Sequence, residues 1–104
     1  MGIDVVWTTE SGERMREVLD PQGYLTDLST WRWNMLGNTK CVQFIDPWGD
    51  TVFNQAQLPV LKEELAAELA ESSEEEVRGH LEEVILLVGR ALGETHTFIR
   101  FVGD

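Results

Sequence analysis

The sequence predicts an α+β fold: a mainly antiparallel sheet of about five strands, with two longer helices packed on one of its faces. Three observations carry this expectation. The stretches Ile3–Thr9 and Thr95–Val102, near the two ends of the chain, are rich in β-branched and aromatic residues. Between them, Leu58, Leu61, Leu65 and Leu69 recur at spacings of three and four, and Val77, Leu81, Val84, Val88 and Ala91 form a second helical stripe. The order is also informative, because hairpins followed by a helical pair and a returning strand place the helices together on one side of the sheet.

Each element has a local reason. Ile3–Thr9 is a strand, Glu10-Ser11-Gly12-Glu13 a turn, and Arg14–Leu19 its return. Asp20-Pro21 breaks the chain, and residues 21–30 hold a short helical turn around Tyr24, Leu25 and Leu28, entered just after a proline. Ser29–Lys40 reads as an irregular connection carrying Trp31 and Trp33. Cys41–Asn54 reads as two short apolar strands joined at Asp46-Pro47-Trp48-Gly49, a type I turn with a side-chain acceptor, a fixed φ and a left-handed glycine bulge at Gly49.

The helices follow. Pro59 suits the first turn of one, where its missing N–H costs nothing. Ser72 and Ser73 end that helix and cap the next, with Ser72 and Glu75, or Ser73 and Glu76, spaced as a capping box. Ile85, Leu87 and Leu92 widen the second stripe, so the latter half of that helix is expected to be nearly encircled by protein. Gly93 stops it. In the last strand Thr97, Ile99 and Phe101 share one face and His96, Phe98, Arg100 and Val102 the other; large apolar groups on both predict a central strand.

At 104 residues, 1–104 is expected to be a single domain with a core of its own. The single cysteine, Cys41, has no internal partner and lies in an apolar stretch, which predicts a buried and inert thiol. No basic leader precedes an apolar run, and no stretch has the ~20 apolar residues of a membrane span, so a soluble cytoplasmic protein without a membrane partner is expected. Gly2 lacks the downstream serine or threonine that myristoylation prefers.

The charge is strongly negative: 19 Asp and Glu stand against 8 Lys and Arg. From Lys62 to Glu83, nine glutamates accompany two basic residues, so this segment carries −7 of the formal −11. Nucleic-acid binding is disfavoured, since neutralising phosphates needs a basic patch. A basic protein partner is favoured, with Glu63, Glu64, Glu68, Glu74 and Glu75 as its candidate surface. The plainer reading of the same residues is a solvated helical face that keeps the chain soluble, as in a salt-tolerant source.

Catalytic signatures are missing: there is no nucleophile elbow, phosphate loop, dinucleotide fingerprint, HExxH or CxxC. No catalytic residue, metal or cofactor is assigned. His80 with Glu76 or Glu83, joined by His96 behind Glu94, makes a two-histidine metal site conceivable, but a surface histidine on a charged helix explains His80 more simply. Asp46 and Asp50 frame the turn and are explained by turn chemistry before acid–base work.

Tryptophan is more suggestive, with four in the chain. Trp31, Trp33 and Trp48 fall in loop-like positions, where tryptophans are often binding anchors. The competing reading folds Trp31 and Trp33 back over the uncovered sheet face as core. In an extended segment the two share a face, so both are buried or both exposed.

The run FIDPWGDTVFN (Phe44–Asn54), the leucine-striped segment Gln55–Leu69 and the ending HTFIRFVGD (His96–Asp104) resemble a group of small, acidic, uncharacterised bacterial proteins; the resemblance covers residues 41–104. A looser similarity is to bacterial immunity proteins, which are short, acidic and built of helices over a small sheet. What that resemblance implies is a non-enzymatic protein-interaction module inhibiting a basic partner. The alternatives are a small ligand-binding protein or enzyme with a pocket between the sheet and the Trp31–Asn34 loop, or an accessory subunit stable only beside its cognate enzyme.

Overall fold

The computed structural model describes residues 2–103. β1 (Asp4–Thr9) and β2 (Arg14–Val18) form the expected hairpin. Gly12 closes its turn at φ +91°, donating its N–H to the Thr9 carbonyl at 3.0 Å. Only glycine takes that backbone conformation at little cost. β4 (Thr97–Val102) pairs antiparallel with the other side of β1, and β3 (Asp50–Phe53) pairs with β4, giving the order β2-β1-β4-β3. β4 is a central strand, with Thr97, Ile99 and Phe101 buried on one face and Phe98, Arg100 and Val102 half-buried on the other.

The sheet has four strands rather than five. The expected strand at Cys41–Ile45 is absent because its backbone donors are used elsewhere. The Glu64 carboxylate accepts the N–H groups of Lys40, Cys41 and Val42 at 2.6, 2.9 and 3.0 Å, and Val42–Phe44 coils into a 3₁₀ turn. With those donors satisfied, nothing is left for a ladder. The Asp46–Gly49 turn does form: Asp46 Oδ1 accepts the Trp48 N–H at 2.8 Å, as its expected capping role requires. Gly49 is not left-handed, however; the positive-φ glycines are Gly12, Gly23, Gly37 and Gly93. The turn is held instead by the C-terminus, where the Gly103 N–H donates to the Gly49 carbonyl at 2.8 Å.

The helical layer covers one face of the sheet. α1 (Tyr24–Leu28) begins where Asp20 fixes it: this buried carboxylate accepts the N–H of Ile3 and Leu25 at 3.0 Å and of Tyr24 at 2.9 Å. The Ser29–Lys40 segment, expected to be irregular, stays helical to Leu36, through a π-helical turn at Ser29–Trp33 and the short α2 (Asn34–Leu36). α3 (Leu58–Glu71) carries Pro59 in its first turn and buries Leu58, Leu61 and Leu65. α4 (Glu75–Ala91) lies across β2, β1 and β4, burying Leu81, Val84, Val88 and Ala91. These side chains and those of Val5, Trp7, Ile99 and Phe101 belong to one apolar cluster.

Two expectations about the helix ends differ. No capping box forms: α4 starts after Glu74 without a side-chain cap, because Ser72 Oγ turns back to the Glu68 carbonyl at 3.0 Å. Arg78 donates to the carbonyls of Leu69 and Ser72 and so closes α3 from the far side. The second half of α4 is not encircled either, since Leu86 is exposed. Gly93 ends α4 at φ +85°, as expected. Among the described residues no helix is long and apolar enough to cross a membrane.

Candidate interaction site

The helical course of residues 24–36 decides the fate of the two tryptophans. Two positions on a helix differ by about 200°, so neighbours that would share a face when extended point apart. Trp33 turns inward and is 1% exposed, whereas Trp31 is 74% exposed. Met35, one helical turn beyond Trp31, is 77% exposed. Leu36 and Phe44 are also exposed, and the 3₁₀ turn carrying Phe44 packs against α2.

Behind this apolar face lies a carboxylate network from α3. Glu68 is 6% exposed, and its Oε1 accepts both the Trp33 indole N–H at 3.0 Å and the Arg32 Nε–H at 2.7 Å. Arg32 also approaches Glu71, Nη2 to Oε2, at 3.7 Å. The hydrogen bond to Glu68 and the surrounding negative charge raise the Arg32 pKa further above its ordinary value. Glu64, one turn earlier on α3, is half-buried and holds the 3₁₀ turn by its three backbone contacts. Two hollows flank the Arg32 to Glu68 bridge. One, of about 470 Å³, is lined by Trp33, Leu36, Val42, Ala67 and three glutamates, 64, 68 and 71. The other, of about 270 Å³, is lined by Leu28, Val77, Ser72, Ser73 and glutamates 68, 71 and 74.

The sequence-predicted residues are therefore divided. Glu68 meets the Trp31–Asn34 segment through Arg32 and Trp33, Glu64 holds the backbone of Lys40, Cys41 and Val42, and Glu74 joins Glu68 at the smaller hollow. Glu63 and Glu75 are exposed but line neither hollow. Trp33 is 1% exposed, with its indole N–H on Glu68. Trp48 is exposed at the Asp46–Gly49 turn, on a different part of the chain from Trp31. The hollows lie between the Trp31–Asn34 segment and α3, not between that segment and the sheet. Arg32, Met35 and Glu71 complete the site without having been singled out. The spacing of four between Trp31 and Met35 was the available signal, masked by reading the segment as irregular.

The remaining candidates have other partners. Asp50 pairs with Arg100 at 3.1 Å on the helix-free sheet face. His80 is buried, with Nε2 3.5 Å from Asp20, beside the edge of the Tyr24 ring. The hydrogen bond of the Tyr24 hydroxyl to Glu76, at 2.8 Å, raises the phenol pKa above its ordinary value. His96 pairs with Glu10 where β1 ends, opposite the end at which Asp20 meets Ile3. Among the described residues no three His, Cys, Asp or Glu side chains gather as metal ligands. Cys41 is buried, and burial, reinforced by the Glu64 charge, pushes its thiol pKa up.

Fold and site define a four-stranded antiparallel sheet backed by helices, bearing an apolar helical face beside a carboxylate trough. Comparison with known proteins finds no matching family model, no matching curated protein and no matching solved structure.

Proposed function

We propose that the chain is a non-enzymatic, cytoplasmic protein-interaction module that presents a glutamate-rich face with apolar anchors to a basic protein partner, in the manner of an immunity-type inhibitor. The observation that carries this reading is the pair Trp31 and Met35, 74% and 77% exposed and four residues apart, on the segment whose Arg32 and Trp33 are held by Glu68 of α3. Trp31 offers a large apolar area with few rotatable bonds to freeze on docking, and a central aromatic anchor is where binding energy concentrates. The surrounding negative field steers a basic protein toward them.

The test is association with the basic protein recovered alongside the chain, measured at low and physiological salt for wild type and Trp31→Ala. Slower association at higher salt and loss of binding on Trp31→Ala support the reading. An on-rate indifferent to salt sinks its electrostatic part.

A second reading, a small-ligand protein or enzyme, is favoured by the hollow of about 470 Å³, a size common among ligand sites. Its polar groups are largely committed, however: Glu64 to three backbone N–H groups, and Glu68 Oε1 to Arg32 and Trp33. They order the chain more than they face a ligand.

A further inference from the structure

β2 is an outer strand of the sheet, paired with β1 on one side and with no described strand on the other. In an antiparallel pair every second residue turns its N–H and C=O away from its partner, so an outer strand carries free backbone donors and acceptors. All of β2 except the half-buried Val18 is exposed. Beside it, between β2 and α4, lies a groove of about 320 Å³ lined by Val18, the buried Leu87, and Leu86, which is 66% exposed. Arg16 and Arg90 line the same groove, and neither pairs with a carboxylate among the described residues. In a chain with 19 acidic and 8 basic side chains that is unexpected, since Arg14, Arg32 and Arg100 each have a carboxylate within 3.1 Å. Of the groove's own carboxylates, Glu17 already accepts from Arg14 at 2.9 Å, and Glu83 lies two turns before Arg90 on α4.

We infer that this groove and the β2 edge together receive an extended segment of another protein, which adds a strand beside β2 and sets a carboxylate side chain between Arg16 and Arg90. Strand addition draws affinity from the backbone ladder and specificity from alternate side chains. Arg16 faces the helical layer, because its register partner Trp7 belongs to the core cluster. A residue paired opposite Arg16 projects the same way, and so do the residues two positions before and after it, toward Leu86 and Leu87. The occupant is therefore a strand with an acidic residue flanked at those positions by apolar ones, and guanidinium forks suit its carboxylate. A second copy of β2 fits poorly, since a two-fold antiparallel pairing centred on Arg16 or on Glu17 sets like charges opposite one another. β2 and α4 carry neither Trp31 nor Met35, so this site is separate from the face proposed above for a basic partner.

The experiment titrates the protein with an acetylated, amidated Val-Thr-Glu-Thr-Val peptide, with its glutamine counterpart, and with the same peptide N-methylated at its three central residues. The backbone N–H resonances of Arg16 to Val18 and the Nε–H resonances of Arg16 and Arg90 report the site. Expected are saturable shifts at all of them, binding about threefold or more weaker for the glutamine peptide, and about tenfold or more weaker for the N-methylated one. Combining Arg16→Gln with Arg90→Gln, both at exposed side chains, is expected to abolish the preference for glutamate. Leu86→Ser should weaken all binding, and Trp31→Ala should change none of it. Equal binding of the glutamate and glutamine peptides, undiminished binding of the N-methylated one, or no saturable shift at millimolar peptide overturns the inference. Acetate that moves both arginines as the peptide does, with the β2 backbone unmoved, reduces the site to an anion contact and overturns the strand. Dilution-dependent shifts along β2 without peptide assign the edge to a second copy and overturn it too.

Discussion

The indole N–H of Trp33 donates to Oε1 of Glu68 at 3.0 Å, joining the most buried tryptophan of the chain to a nearly buried carboxylate 35 residues away. The adjacent Arg32 reaches the same oxygen. The π-helical turn that contains both sets these neighbours side by side toward α3, and π turns often mark such places. Glu68→Ala leaves a buried indole N–H without an acceptor, so a loss of about 2 to 3 kcal/mol in urea unfolding is expected, with Glu68→Gln milder because it keeps an oxygen. An unchanged midpoint for Glu68→Ala would show that the contact holds nothing.

Asp20 predicts a larger loss. Its carboxylate accepts three backbone N–H groups, from Ile3, Tyr24 and Leu25, with its side chain fully buried. Asp20→Ala strands all three donors and is expected to cost about 3 kcal/mol or more. Hydrogen exchange at Ile3 and Leu25 should rise in a variant that still folds; protection equal to wild type contradicts the assignment.

The two glycines at the Asp46–Gly49 turn should behave oppositely to a left-handed-bulge account. A Cβ at Gly103 would stand 2.6 to 2.7 Å from the carbonyl oxygens of Asp46, Pro47 and Gly49, which are backbone and cannot swing aside. At Gly49 a Cβ meets only the Asp46 carboxylate, at 3.0 Å, and that side chain can rotate. Gly103→Ala is expected to lower stability by about 1 to 3 kcal/mol, and Gly49→Ala by less than about 1. A larger loss at Gly49 than at Gly103 would refute this.

How much of this was legible depended on where each segment's backbone donors go. α3, α4 and β4 follow a period of 3.6 or of two, β1 is marked by its β-branched run and β2 by the turn before it, and all of these signals are local. Cys41–Ile45 looks like a strand locally, but Glu64 claims its donors from over 20 residues away. Ser29, Thr30, Trp31 and Trp33 are indifferent helix formers, so the helical course there comes from packing Trp33 against α3 rather than from propensity. The trough was legible only as a count of glutamates. Glu64 and Glu68 are tied down by the segment that folds onto α3, which no local pattern reveals.

Cys41 gives a pH-linked expectation. Its pKa is raised in the folded chain, by burial first and by Glu64 second, so the folded state holds the thiol proton more tightly than the unfolded one. The stability this contributes is complete below the unfolded thiol pKa and is lost as pH rises through the folded value. Iodoacetamide should label the native chain far more slowly than the urea-unfolded chain at mildly alkaline pH. Equal rates would mean that Cys41 is accessible.

The most direct test of the interaction face compares Trp31→Ala and Trp33→Ala in thermal melts beside a partner-binding assay. Trp33→Ala should lose roughly 3 to 5 kcal/mol of stability, because it empties a core position. Trp31→Ala should melt within about 0.5 kcal/mol of wild type and yet weaken partner binding by about 2 kcal/mol or more. A Trp31→Ala protein that melts like wild type and binds like wild type would contradict the central claim.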